Sequence, residues 1–224
     1  MGERVEKGFL QAMQRQATAT VLDFIPQNIA NVLWALAKMG ERADRALLEA
    51  MQRRATASMA ALATMGERPD RRLLEAIQRR ATVTAGECIP REVANVLWAL
   101  AKMGERADPG LLEAMQRRAT TTVEQFGPQD VANVLWALAT MGEKADPALL
   151  DGMQKRVAAT AGEFKPQNVA NVVWALATMG ERGERALMVA MQQRATATAG
   201  DFEPQDVANV LWALAVMGKS TGKL

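Results

Sequence analysis

Trp98, Trp136, Trp174 and Trp212 stand 38 residues apart, each inside nearly the same phrase. The phrase runs from Val93 through Ala94, Asn95, Val96, Leu97, Trp98, Ala99 and Leu100 to Ala101. It returns at Val131 to Ala139, Val169 to Ala177 and Val207 to Ala215, with a fifth copy from Ile29 to Ala37 around Trp34. A fixed period of this size specifies a stacked array, in which each unit covers the apolar face of the next, and not one compact domain. Such arrays offer long surfaces, so the repetition itself points to binding of an extended partner.

The units read as helix pairs. Ala, Leu, Met, Gln, Glu and Arg dominate, all helix formers, and the absence of Tyr and the scarcity of Phe weigh against sheet. The first helix of each unit opens at Pro26, Pro90, Pro128, Pro166 or Pro204, since proline loses no needed N–H in a first turn. It closes at Gly40, Gly104, Gly142, Gly180 or Gly218, the usual left-handed stop. The second helix starts after Asp44, Asp70, Asp108 or Asp146, which are expected to cap it, with Glu184 the poorer substitute. It runs to about the slot of Phe24, Phe126, Phe164 and Phe202, where Cys88 reads as a small buried hydrophobe.

These signals predict an all-α, right-handed α-solenoid of about five to six stacked antiparallel helix pairs. The whole chain, 1–224, reads as one array with units at about 1–24 (partial), 25–57, 58–88 (truncated), 89–126, 127–164, 165–202 and 203–224 (partial). Trp34 to Trp98 spans 64 residues where two periods need 76, so 12 are missing, and a defect is expected near residues 55–66. The opening Met1-Gly2-Glu3-Arg4 repeats Met103-Gly104-Glu105-Arg106, as though the chain were a segment of a longer array.

Helical geometry at 100° per residue puts Val131, Leu135, Leu138 and Ala139 on one face of the first helix. Asn133, Ala137 and Thr140 fall opposite, with Trp136 on the boundary; the tryptophans are expected chiefly as wedges between units. On the second helix Leu149, Leu150, Met153, Val157, Ala161 and Phe164 face inward, with Asp151 and Lys155 outward.

Several chemistries are excluded. The chain has no histidine and one cysteine, which removes the commonest general base and any ordinary transition-metal site. No glycine-rich phosphate loop occurs. Glu49, Glu75, Glu113 and Asp151 recur at one exposed slot, whereas acid–base pairs need unlike environments. No enzyme activity, cofactor, metal or small-molecule substrate is therefore expected. No apolar run reaches the about 18–20 residues a bilayer demands, so no membrane partner is expected either.

Three sets of residues are candidates for contact with a partner. The first is Asn31, Asn95, Asn133, Asn171 and Asn209. An amide can bond a base edge or phosphate, or equally the neighbouring repeat's backbone, and its identity in every intact copy favours the backbone ladder. The second set varies: one slot holds Asn28, Glu92, Asp130, Asn168 and Asp206, another Lys38, Lys102, Thr140, Thr178 and Val216. A modular reader of bases has this form, a fixed frame with a few changing polar side chains, although drift at exposed positions gives the same pattern. The third is the basic pair Arg53-Arg54, Arg79-Arg80, Arg117-Arg118 and Lys155-Arg156, whose second member borders the core and is expected to pair with a carboxylate of an adjacent unit. The net charge of +2 is weak support for a polyanionic partner.

The 38-residue unit and the phrase Pro-Gln-x-Val-Ala-Asn-Val-Leu-Trp-Ala-Leu-Ala-x-Met-Gly resemble octotricopeptide repeats, helical-pair repeats of organellar proteins, over essentially the whole chain. The resemblance implies single-stranded RNA as partner along the inner surface, and work in transcript maturation, stability or translation in a chloroplast or mitochondrion. On that basis the RNA-binding candidates are Asn28, Asn31, Lys38, Asn95, Lys102, Asp130, Asn133, Asn168, Asn171 and Asn209. Some relatives are structural subunits of large assemblies, so a protein-binding scaffold without RNA contact is the alternative.

Overall fold

The computed structural model describes residues 7–20 and 71–219. The chain divides into two compact units, Met1–Thr84 and Ala85–Leu224. In the first unit the described helices are α1 (Lys7–Thr20) and α2 (Arg71–Thr84). Leu74, Gln78 and Ala81 form a buried stripe on α2 at helical spacing. The expected defect near residues 55–66 lies outside the described residues.

The second unit is an all-α solenoid. Its first helices are α3 (Pro90–Met103), α5 (Pro128–Met141), α7 (Pro166–Met179) and α9 (Pro204–Lys219). Its second helices are α4 (Pro109–Thr121), α6 (Pro147–Thr160) and α8 (Arg185–Ala197). A 3₁₀ turn follows each second helix, at Val123–Gln125 for example, and leads into the extended Phe slot. No strand occurs among the described residues.

Proline and glycine punctuate the helices as the sequence indicates. Gly104, Gly142 and Gly180 take φ of 72°, 72° and 78°. The Gly104 N–H bonds Ala101 O and the Glu105 N–H bonds Leu100 O, closing the left-handed cap. Gly218 departs from the expectation: α9 continues through it to Lys219. The sequence after it, Lys-Ser-Thr-Gly, lacks the Glu-Arg or Glu-Lys that follows the capping glycines.

The two layers pack differently. Successive first helices, α3 on α5, α5 on α7 and α7 on α9, touch along most of their lengths, while successive second helices meet at few points. A stack that is closer on one side bends toward that side, so the first helices line the inner wall. Close approach needs small side chains, and Ala94, Ala99, Ala132, Ala137, Ala170 and Ala175 are all fully buried. Ala137, expected on the outer face, is thus enclosed, because neighbouring first helices cover flanks that a single wheel leaves open.

The second helices carry the links between repeats. Arg118 Nε donates to Cys88 O at 2.6 Å, Arg156 Nε to Phe126 O at 2.8 Å and Arg194 Nε to Phe164 O at 2.6 Å, each reaching back 30 residues. These arginines were expected to find carboxylates; they bond carbonyls of the preceding repeat instead, where the turn into the Phe slot leaves an acceptor unused. A second ladder runs forward. Asp146 N–H donates to Gln116 Oε1 at 2.7 Å, and Glu184 N–H to Gln154 Oε1 at 2.5 Å. The neighbouring repeat's glutamine therefore satisfies the helix entry, and Asp108 and Asp146 make no side-chain cap bond. Volume is matched across the same seam: a Cβ on Gly152 would stand 3.2 Å from Val123 Cγ2. The equivalent slots hold the pairs Ala85 with Ala114 and Ala161 with Ala190, small against small.

Candidate functional site

The inner wall keeps one open stripe. Along α5, Val131, Ala132, Val134, Leu135, Ala137 and Leu138 are fully buried, while Asn133 and Trp136 are half-buried and Gln129 and Thr140 exposed. Those four residues recur at helical spacing, so they form a single line facing out of the wall. The same line on α3 carries Asn95, Trp98 and Lys102, and on α7 Gln167, Asn171, Trp174 and Thr178.

Side by side, these stripes make a groove of about 530 Å³ lined by Asn95, Trp98, Gln129, Asn133, Gln167 and Asn171, together with Pro128, Asn168, Glu163 and Lys165. Six amides and an indole make it polar, with one acid and one base offsetting each other. The four described tryptophans are not enclosed wedges. Trp98, Trp136 and Trp174 are half-buried and Trp212 is 47% exposed. The Trp174 and Trp212 rings lie 6.4 Å apart at 36°, an aromatic pair that carries the stripe onto α9.

The Asn row does not form the expected backbone ladder. Among the described residues no hydrogen bond reaches the side-chain amides of Asn95, Asn133 or Asn171, and Asn209 accepts only from Gln205 Nε2, one turn away, at 3.0 Å. The structural role that identity in every copy suggested for Asn belongs to the Gln and Arg of the second helices. Sequence reasoning missed the glutamines, although Met-Gln-x-Arg recurs at Met115 to Arg118 and Met153 to Arg156 as regularly as the Asn phrase.

The first variable slot is engaged by its own helix. Glu92 Oε2 accepts Ile89 N–H at 3.1 Å, and Asn168 Oδ1 accepts Lys165 N–H at 3.2 Å. Asp130 and Asp206 take the backbone N–H of Gly127 and Glu203 in the same way. Burial raises the Asp130 carboxyl above the usual Asp range, opposed by the Arg91 charge and the Gly127 N–H; burial likewise raises Asp206. Asn168 is itself buried. Of the second slot, Lys102, Thr140 and Thr178 are exposed, at the helix ends beyond the groove. Asn28, Asn31 and Lys38 lie outside the described residues.

The basic ridge of the second helices is engaged as well. Arg117 pairs with Glu113, and Lys155 Nζ lies 2.8 Å from Asp151 Oδ2, which raises the Lys155 pKa. Charge is also uneven along the chain. Residues 1–84 hold 13 basic and 9 acidic side chains and residues 85–224 hold 14 and 16, giving net charges of +4 and −2. No cluster of three metal-binding side chains occurs among the described residues, and no described helix is long and apolar enough to cross a membrane.

Comparison with known families gives two matches. Residues 45–221, about four fifths of the chain, match the family described as RNA-editing substrate-binding complex 6 protein. Residues 10–33 match a short family described as a protein of unknown function (DUF1601). No curated protein matches the chain.

Proposed function

The chain belongs to the RNA-editing substrate-binding complex 6 family, and from that premise we propose that it is a helical scaffold holding single-stranded RNA along the Asn–Trp groove. It acts by binding and not by catalysis. Its setting is an assembly that presents RNA for processing, in the manner of organellar transcript maturation, stability or translation factors.

The observation that carries this reading is the row of Asn95, Asn133 and Asn171 amides, open to the groove and unengaged by the fold, each with a half-buried indole one turn on. Amides bond base edges and indoles stack on base faces. The strand must be single and unstacked. Neighbouring helices stand about 8–10 Å apart, whereas stacked bases rise only about 3.4 Å per step. Bases therefore enter the groove and phosphates face outward, toward Lys102 and Lys165.

A second reading, a protein-binding scaffold, is supported by the charge balance of the groove and the net −2 of its unit. Ultraviolet crosslinking to single-stranded RNA at low salt, followed by peptide mapping, separates the two. The RNA reading expects crosslinks on peptides containing Trp98, Trp136 or Trp174. Crosslinks confined to residues 1–84, or none at all, would favour the protein scaffold.

A further inference from the structure

We propose that this groove reads base composition and not base order, so that its ligand is a low-complexity single-stranded tract. The inference rests on the RNA reading above.

A modular code needs groove-facing side chains that change from repeat to repeat. Here the Asn and Trp of the open stripe are the same in each described first helix, Asn95 with Trp98, Asn133 with Trp136, Asn171 with Trp174 and Asn209 with Trp212, and of these Asn95, Trp98, Asn133 and Asn171 line the groove. The neighbouring slot is Gln129, Gln167 and Gln205, with Arg91 alone different. The slot that looks like a code, Glu92, Asp130, Asn168 and Asp206, accepts N–H bonds from Ile89, Gly127, Lys165 and Glu203 in its own helix entry. Glu, Asp and Asn share one property there, an acceptor oxygen that reaches back three residues. Their interchange follows from helix capping and carries no instruction about bases.

Three other slots vary, and one of them holds Glu87, Gln125, Glu163 and Asp201, of which Glu163 lines the groove. Lys102, Thr140, Thr178 and Val216 stand at helix ends outside the groove lining. The residue before each proline is Ile89, Gly127, Lys165 or Glu203, and neither isoleucine nor glycine offers a base edge a side-chain hydrogen bond. Each step thus meets the same Asn amide and Trp ring, and the departures are the charges of Arg91, Glu163 and Lys165. A row of equal sites binds every register of a repeated base equally well, and sums over a mixed sequence without regard to its order.

The test uses the full chain and fluorescence anisotropy with labelled single-stranded RNAs, in sets of matched composition and shuffled order beside the homopolymers. Shuffled sets should bind within about twofold of each other, while homopolymers separate more widely. An order-reading site would instead lose about tenfold per misplaced base, and that result overturns the inference. Asp130→Asn keeps the capping oxygen and should leave the preference among RNAs unchanged; a new preference at one position would also overturn it. Lys165→Ala should weaken all RNAs alike. Binding of no RNA at low salt removes the RNA reading itself, an outcome distinct from order-dependent binding, which removes this inference alone.

Discussion

The inner and outer helices of the second unit use the same kind of side chain for opposite ends. Gln116 and Gln154, on second helices, are buried and bond the entry of the next repeat. Asn95, Asn133 and Asn171, on first helices, are half-buried and face a groove, and their side-chain amides bond nothing among the described residues. Both series recur at the 38-residue period, so recurrence within a chain does not separate amides that the fold engages from amides that it leaves open. Burial and partnership do. A buried amide without a bond costs about 1–3 kcal/mol, so a structural one must find its partner. An amide at a groove can wait for a ligand because water satisfies it meanwhile.

The sharpest stability contrast should fall between Phe126 and Trp136. Phe126 is fully buried, and Phe126→Ala should cost about 3–5 kcal/mol. Trp136 is larger but half-buried, so Trp136→Ala should cost clearly less, with the difference read from chemical unfolding. Equal losses would show the inner stripe to be core after all.

Next in size is the seam between repeats. Gly152→Ala gains helix propensity of about 1 kcal/mol but presses on Val123 at 3.2 Å. Adding Val123→Ala restores the small–small pairing found in the other repeats. The double-mutant cycle should therefore show a coupling of about 0.5–3 kcal/mol, whereas additivity would mean that Val123 moves aside freely.

The smallest effect concerns the capping slot. Burial holds the Asp130 pKa above its unfolded value, so the stability it adds is fully present below that value and lost as pH rises through the folded one. Asp130→Asn keeps the acceptor without the ionisation. Thermal melts should find it no less stable than the parent at pH 7, with any advantage gone below about pH 4. A marked loss at pH 7 would mean that the charge itself is needed at the helix entry.

Much of the fold was legible because it is written in period and punctuation. Pro90, Pro128 and Pro166 open helices and Gly104, Gly142 and Gly180 close them by local rules that no tertiary contact overrides. Most of the inner face of the second helix was also legible: Leu149, Met153, Val157 and Phe164 are buried, while Leu150 and Ala161 are half-buried. The first helix was harder. A wheel assigns one buried side, but α5 is covered from three directions, and alanine reveals nothing of its own burial, so Ala137 was misplaced. The links from Gln116 to Asp146 and from Arg118 to Cys88 span 30 residues, a distance set by stacking and invisible within one unit. The candidate site was half legible: the Asn row was a candidate contact, but the tryptophans were expected as wedges between units, and the helix-capping duty of Glu92, Asp130 and Asn168 was not seen.

Outer amides hold the repeats together, and the proposed function assigns the inner amides to RNA. The most direct measurement compares Gln116→Ala with Asn133→Ala for melting temperature and for affinity toward single-stranded RNA. The account predicts crossed results. Gln116→Ala strands a helix-entry N–H and should lower stability by about 1–3 kcal/mol, leaving the affinity of the folded protein intact. Asn133→Ala should weaken RNA binding and leave the melting temperature unchanged. A destabilised Asn133→Ala with unaltered affinity would contradict the account.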